Sequence, residues 1–243
     1  MISKTAMITI CGRPNVGKST LTNALVGEKI AIVSNKPQTT RNRISAVVNR
    51  GDTQFVIIDT PGFHKPRTRL GDYMVNVVKE SVADVDAVML LVEPIANIGR
   101  QEEELIARIK ETGVSAILVI NKIDTVEKTE LLEVMALYSA AHDFDAIIPM
   151  SAKNGEGLDE LLAELEKYAQ AGPQLFPDDM ITDQPERQIA AEFIREKLLR
   201  LLSDEIPHGN PVVKKIGGNI TSTYGYDELL NIKALKTETE KQT

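Results

Sequence analysis

Residues Gly12-Arg13-Pro14-Asn15-Val16-Gly17-Lys18-Ser19 follow an apolar run, Ala6 to Cys11, and open a helical pattern, Ser19 to Val26. A strand delivers the chain, two glycines let it curl, and successive backbone N–H groups then point at one spot. The helix that follows adds partial positive charge from its N-terminus. G-x-x-x-x-G-K-S between a strand and a helix is therefore a phosphate cradle. In that setting Gly12, Asn15, Val16, Gly17, Lys18, Ser19 and Thr20 are candidate phosphate contacts. Lys18 is placed to reach the terminal phosphates, and the Ser19 hydroxyl to hold Mg²⁺.

Working outward, apolar runs alternate with helical stretches. Met7–Cys11, Phe55–Ile58, Ala87–Val92, Ala116–Ile120 and Ala146–Pro149 read as strands. They are continuous rather than alternating, as expected when both faces of a sheet are covered. Ile44–Asn49 reads as an edge strand. Helical patterns occupy Ser19–Val26, Leu70–Ser81, Gln101–Glu111, Glu130–Ala140 and Leu158–Ala169. The alternation predicts an α/β fold, a mostly parallel doubly wound sheet with helices on both faces. Ligands of such sheets bind beyond the carboxyl ends of the strands. The Gly- and Pro-containing stretch 172–184 reads as a linker open to proteases, and Pro185–Ser203 as an amphipathic helix. The expected domains are thus 1–171, a linker 172–184, and a smaller α(+β) segment 185–243.

Composition bounds the class. The chain has 243 residues, 42% apolar and 26% charged, which fits a water-soluble domain with a smaller module. Its one cysteine, Cys11, cannot form an internal disulfide and reads as a small buried hydrophobe. No transmembrane run or signal peptide is evident, and a cytoplasmic location is expected. Net charge is −7. Two basic segments, Lys36 to Arg43 and His64 to Arg69, read either as solvated loop charge or as RNA contacts.

Three further motifs each follow a strand and narrow the nucleotide. Asp59-Thr60-Pro61-Gly62 offers an aspartate for the Mg²⁺ shell and a glycine N–H for a γ-phosphate. In Asn121-Lys122-Ile123-Asp124, the Asp124 carboxylate can accept from the N1–H and N2 amine of guanine, a donor pair adenine lacks. Lys122 can lay its stem over the base, and Asn121 can tie neighbouring loops. Ser151-Ala152-Lys153 can offer a backbone N–H, that of Ala152 by preference, to guanine O6. In Gln38-Thr39-Thr40-Arg41, Thr40 or Thr39 can join the Mg²⁺ when a γ-phosphate is bound.

Four such motifs in this order resemble the translation-factor class of GTPases. The stretches 37–44, 59–63 and 12–19 resemble the Era family in particular, as do Pro185-Glu186-Arg187 and Pro207-His208-Gly209. The resemblance implies a GTP/GDP switch with Mg²⁺, with Asn15, Lys18, Thr40 and Gly62 as the catalytic set. Phe63 stands where Ras-like proteins carry a water-orienting glutamine. Asn15 matches the asparagine that holds K⁺ in potassium-dependent relatives; the plain alternative is a turn residue. Family partners are small-subunit ribosomal RNA, the 30S particle and, peripherally, the membrane surface. Era proteins bind RNA through a C-terminal KH domain with a G-x-x-G loop. The chain after Pro207 is about half the length such a domain needs and has no G-x-x-G, so an incomplete KH remnant is expected. The competing expectation is a GTP-gated binding module with little turnover.

Overall fold

The computed structural model describes residues 2–33, 44–59 and 85–201. The helix expected over 70–81, both basic segments, Thr39, Thr40, Gly62, Phe63 and the chain beyond 201 lie outside these residues. The described elements are β1 (Lys4–Cys11), α1 (Lys18–Val26), β2 (Ile44–Arg50), β3 (Thr53–Asp59), β4 (Ala87–Val92), α2 (Arg100–Thr112), β5 (Ala116–Ile120), α3 (Lys128–Ala141), β6 (Ala146–Pro149), α4 (Leu158–Leu165), β7 (Gln170–Ala171) and α5 (Glu186–Leu201).

The sheet runs β2-β3-β1-β4-β5-β6. β2 is antiparallel to β3, while the pairs β3–β1, β1–β4, β4–β5 and β5–β6 are parallel. Successive strands go to opposite sides of β1, so a crevice opens at its carboxyl end, where Gly12 begins. Period-two alternation divides the core. Ala87, Met89 and Leu91 of β4 join one buried layer with Leu21 and Leu25 of α1 and Leu161 and Leu165 of α4. Val88, Leu90 and Val92 join the other with Ile106 of α2 and Val134 and Tyr138 of α3. A sheet covered on both faces explains the unbroken apolar strands.

The expected strands match within three residues at each end. The helix expected over Leu158–Ala169 ends earlier: α4 stops at Leu165, a 3₁₀ turn covers Glu166–Tyr168, and β7 then pairs antiparallel with Lys4 and Thr5 of β1.

The linker expectation is corrected. The compact first unit runs through Pro185, and residues 172–184 belong to it as a strap. Gly172 N–H donates to Ser3 O at 3.2 Å, and Val47 N–H donates to Ile181 O at 2.9 Å. Asp183 N–H donates to Ser45 O at 3.3 Å, and Asp183 Oδ1 accepts from Ser45 N–H at 3.1 Å. Gln54, fully buried, clasps the middle: its Oε1 accepts from Leu175 and Phe176 N–H, each at 2.9 Å, and its Nε2 donates to Phe176 O at 2.9 Å. The strap covers the edge of β2, which would otherwise offer unpaired backbone groups. Its prolines and aspartates read as a linker because its partners lie more than a hundred residues away in sequence.

Replacing Gln54 by Ala leaves the partly buried N–H groups of Leu175 and Phe176 without their acceptor and should cost about 1–2 kcal/mol. Limited proteolysis should then cut within 172–184 in Gln54→Ala and spare that segment in the wild-type chain. Equal resistance of the two chains contradicts the strap.

Candidate functional site

All described motifs meet at the carboxyl edge of the sheet. The loop after β1 turns on Gly12, on Asn15 with φ 67° and on Gly17 with φ 104°. Gly17 is required twice over: its φ is left-handed, and a Cβ there would collide with Asn121 Nδ2. Lys18 is buried, and its Nζ donates to the carbonyls of Gly12 (3.1 Å) and Arg13 (2.8 Å) across the loop. Burial lowers its ammonium to about 8, partly offset by the charge of Asp59.

Ser19 Oγ donates to Asp59 Oδ2 at 2.9 Å, joining the first turn of α1 to the end of β3. Asp59 is fully buried, and among the described residues its Oδ1 has no hydrogen-bond partner. Burial raises its carboxyl from 3.8 to about 6, against the pull of Lys18 and the Ser19 hydrogen bond.

A second cluster follows β5 and β6. Asn121 Nδ2 donates to Val16 O at 2.8 Å, and Asn121 Oδ1 accepts from Ala152 N–H at 2.9 Å. One side chain thus ties the loop after β1 to the turn after β6. Ser151 Oγ donates to Asp124 Oδ1 at 2.7 Å, which orients that carboxylate. Lys122 has φ 65°, and its Nζ donates to Asn15 O at 2.7 Å. The expectation that Asn121 binds neighbouring loops is met in these bonds. The preferred Ala152 N–H, by contrast, is engaged by Asn121. Lys153 and Asn15 are exposed at this edge.

Sequence reasoning missed a set of charges here. Lys122 Nζ also donates to Glu93 Oε1 at 2.5 Å, just past β4. Arg13 pairs with Glu93 at 3.7 Å and, through its Nε, with Glu102 of α2, whose side chain is 1% exposed. The available signal was position: Glu93 directly follows a strand, as Gly12 and Asn121 do. Cys11 is buried, and burial raises its thiol to about 12, so it is inert packing.

A phosphate cradle, a Ser–Asp pair behind it and an Asn-Lys-x-Asp turn on one sheet edge define a P-loop GTPase. A family model described as a 50S ribosome-binding GTPase matches residues 7–122. GTPase Era of Ruminiclostridium cellulolyticum is 48% identical over 235 residues, covering 96% of this chain and 77% of that protein. GTPase Era of Clostridium perfringens is 48% identical over 206 residues, covering 85% and 70%. A crystal structure of Era with MgGDPNP and nucleotides 1506–1542 of 16S ribosomal RNA superposes with a TM-score of 0.80 at 38% identity, covering 84% of this chain and 70% of that one. An Aquifex aeolicus Era variant bound to GDP·AlF₄⁻ gives 0.79 at 38% identity, covering 84% and 69%. The chain belongs to the Era family of GTPases. It binds GTP and hydrolyses it to GDP and phosphate. Among the described residues no helix is long and apolar enough to cross a membrane.

The raised Asp59 carboxyl makes a pH prediction. A carboxyl that titrates higher in the folded state stabilises that state most when protonated. The contribution is complete below about 3.8 and is lost as pH rises through about 6. Asp59→Asn should therefore stabilise the nucleotide-free, Mg²⁺-free protein at pH 8 and do so far less at pH 4.5. Guanidinium unfolding of both chains at the two pH values checks this; an equal difference at both contradicts it.

Proposed function

We propose that the described edge residues divide the work of a guanine-nucleotide switch as their geometry suggests. The observation that carries this reading is the Asn121 bridge, which holds the phosphate cradle and the Asp124–Ser151 pair in one frame. Amides of residues 15–20 receive the phosphates, with Lys18 beside them. A triphosphate close to Lys18 favours its charged form and opposes the lowering that burial imposes. Asp124, oriented by Ser151, accepts the two guanine donors. Because the Ala152 amide is engaged by Asn121, the amide assigned to guanine O6 is that of Lys153.

Ser19 and Asp59 fit a magnesium ion. They present hard oxygen atoms side by side, and the orphaned Asp59 Oδ1 is a buried acceptor that an ion or its water shell satisfies. When bound, the ion neutralises charge on the β- and γ-phosphate oxygens. The relative crystallised with MgGDPNP supports this assignment. Thr40 and Gly62 are proposed to complete the γ-phosphate side. Asn15, exposed at the lip of the cradle with φ 67°, is proposed to hold K⁺, adding positive charge where Phe63 offers none.

We assign the output to small-subunit ribosomal RNA and thereby to the assembling 30S particle, in the cytoplasm. The relative bound to nucleotides 1506–1542 of 16S ribosomal RNA supports this.

Asp124→Asn should move preference from GTP towards xanthosine triphosphate by about a hundredfold, because an amide can donate where the carboxylate only accepts. Competition binding measures it, and an unchanged preference refutes the base-reader assignment. GTP turnover with Mg²⁺ should be faster in KCl than in NaCl; equal rates remove K⁺ from Asn15. Chelating Mg²⁺ should abolish turnover. The chain should retain an RNA of the 16S 3′ end in GTP more strongly than in GDP. Equal or absent retention contradicts the RNA output.

A further inference from the structure

We propose that Glu93 is a positioning residue for Lys122, holding that lysine's stem flat for the base and coupling it to the phosphate cradle through Arg13. This rests on the assignment of Lys122 to guanine.

The placement of Glu93 is fixed by the backbone. β4 ends at Val92, whose carbonyl accepts from Asn121 N–H at 2.9 Å, and Ile95 N–H closes a tight turn onto Glu93 O at 2.8 Å. Glu93 therefore stands beside the residue that precedes Lys122. Its two carboxylate oxygens point to different partners. Oε1 accepts from Lys122 Nζ at 2.5 Å, and Oε2 lies 3.7 Å from an Arg13 nitrogen. Arg13 is held in turn by Glu102, a buried carboxylate in the first turn of α2. The side chain of Glu93 is 27% exposed and that of Lys122 is 36% exposed, so water screens the pair only in part.

Lys122 needs such a hold. It is one of two described non-glycine residues with positive φ, and the other is Asn15, whose carbonyl takes its second hydrogen bond. A lysine held in the left-handed region is strained, because its Cβ crowds the backbone there. Its four-carbon stem also regains rotamer freedom if the ammonium is loose. Two acceptors, Asn15 O on the cradle and Glu93 just past β4, fix the ammonium and so restrict the stem that leads to it. The hydrogen bond of Glu93 is to Lys122 of the base-reading loop. Its effect therefore falls on how long nucleotide stays.

The test is release of fluorescent mant-GDP from the full chain, chased with excess GDP. It compares wild type, Glu93→Ala, Glu93→Gln, Lys122→Met and the double variants. Glu93→Ala should speed release about tenfold, the size of a direct side-chain coupling, with Glu93→Gln between it and wild type. In the Lys122→Met background either Glu93 change should add less than about twofold, because the partner it positions is gone. The Gln series carries the same cycle if the Ala variant does not fold. A full tenfold effect persisting without the Lys122 ammonium shows that Glu93 supports structure generally and overturns the proposal. Unchanged release in both Glu93 variants also overturns it. Failure of the wild-type chain to bind mant-GDP would instead remove the guanine assignment itself.

Discussion

The two hydrogen bonds of the Asn121 side chain are the constraint on which the site depends. One amide spans from Val16 O to Ala152 N–H, loops that lie 136 residues apart in the chain. Gly17 has to be glycine because Asn121 Nδ2 occupies the space of its missing Cβ. The amide is 2% exposed, so neither bond competes with water, and losing one leaves a buried polar group unsatisfied. Parallel strands bring the loops to one edge. Asn121 converts that proximity into a fixed distance between the loop after β1 and the turn after β6.

Around this frame the protein keeps opposite charges under tension. Lys18 and Asp59 are both buried, and burial moves each towards its neutral form while each draws the other back. Such a pair contributes little stability by itself. It is suited to receive charge: phosphates close to Lys18 and a cation close to Asp59 each favour the ionised form. A ligand bound as proposed would therefore stabilise the site.

Much of this was legible in the chain itself. Strand positions followed from continuous apolar runs, because a doubly covered sheet permits no polar face. The motifs around Gly12, Asp59, Asn121 and Ser151 were legible because phosphate and base chemistry demand particular residue types directly after a strand. What was not legible depends on long-range pairing. The strap at 172–184 has linker composition, and only Gln54 and the edge of β2 make it part of the first unit. Nothing local at Ala152 shows that its amide meets Asn121. Nothing local marks Glu93 and Arg13 as a pair; only the fold places Lys122 and the buried Glu102 beside them. The strap also shows why a boundary read from glycines and prolines alone fell short by fourteen residues, from 171 to 185.

The most direct test of the central claim is native-state amide hydrogen exchange on the nucleotide-free wild type and on Asn121→Ala. If one side chain frames both loops, Ala152 and the amides of residues 16–19 lose protection together in the variant. The amides of β4 and β1 should keep theirs. Unchanged protection at Ala152, or loss confined to one of the two loops, would contradict the account.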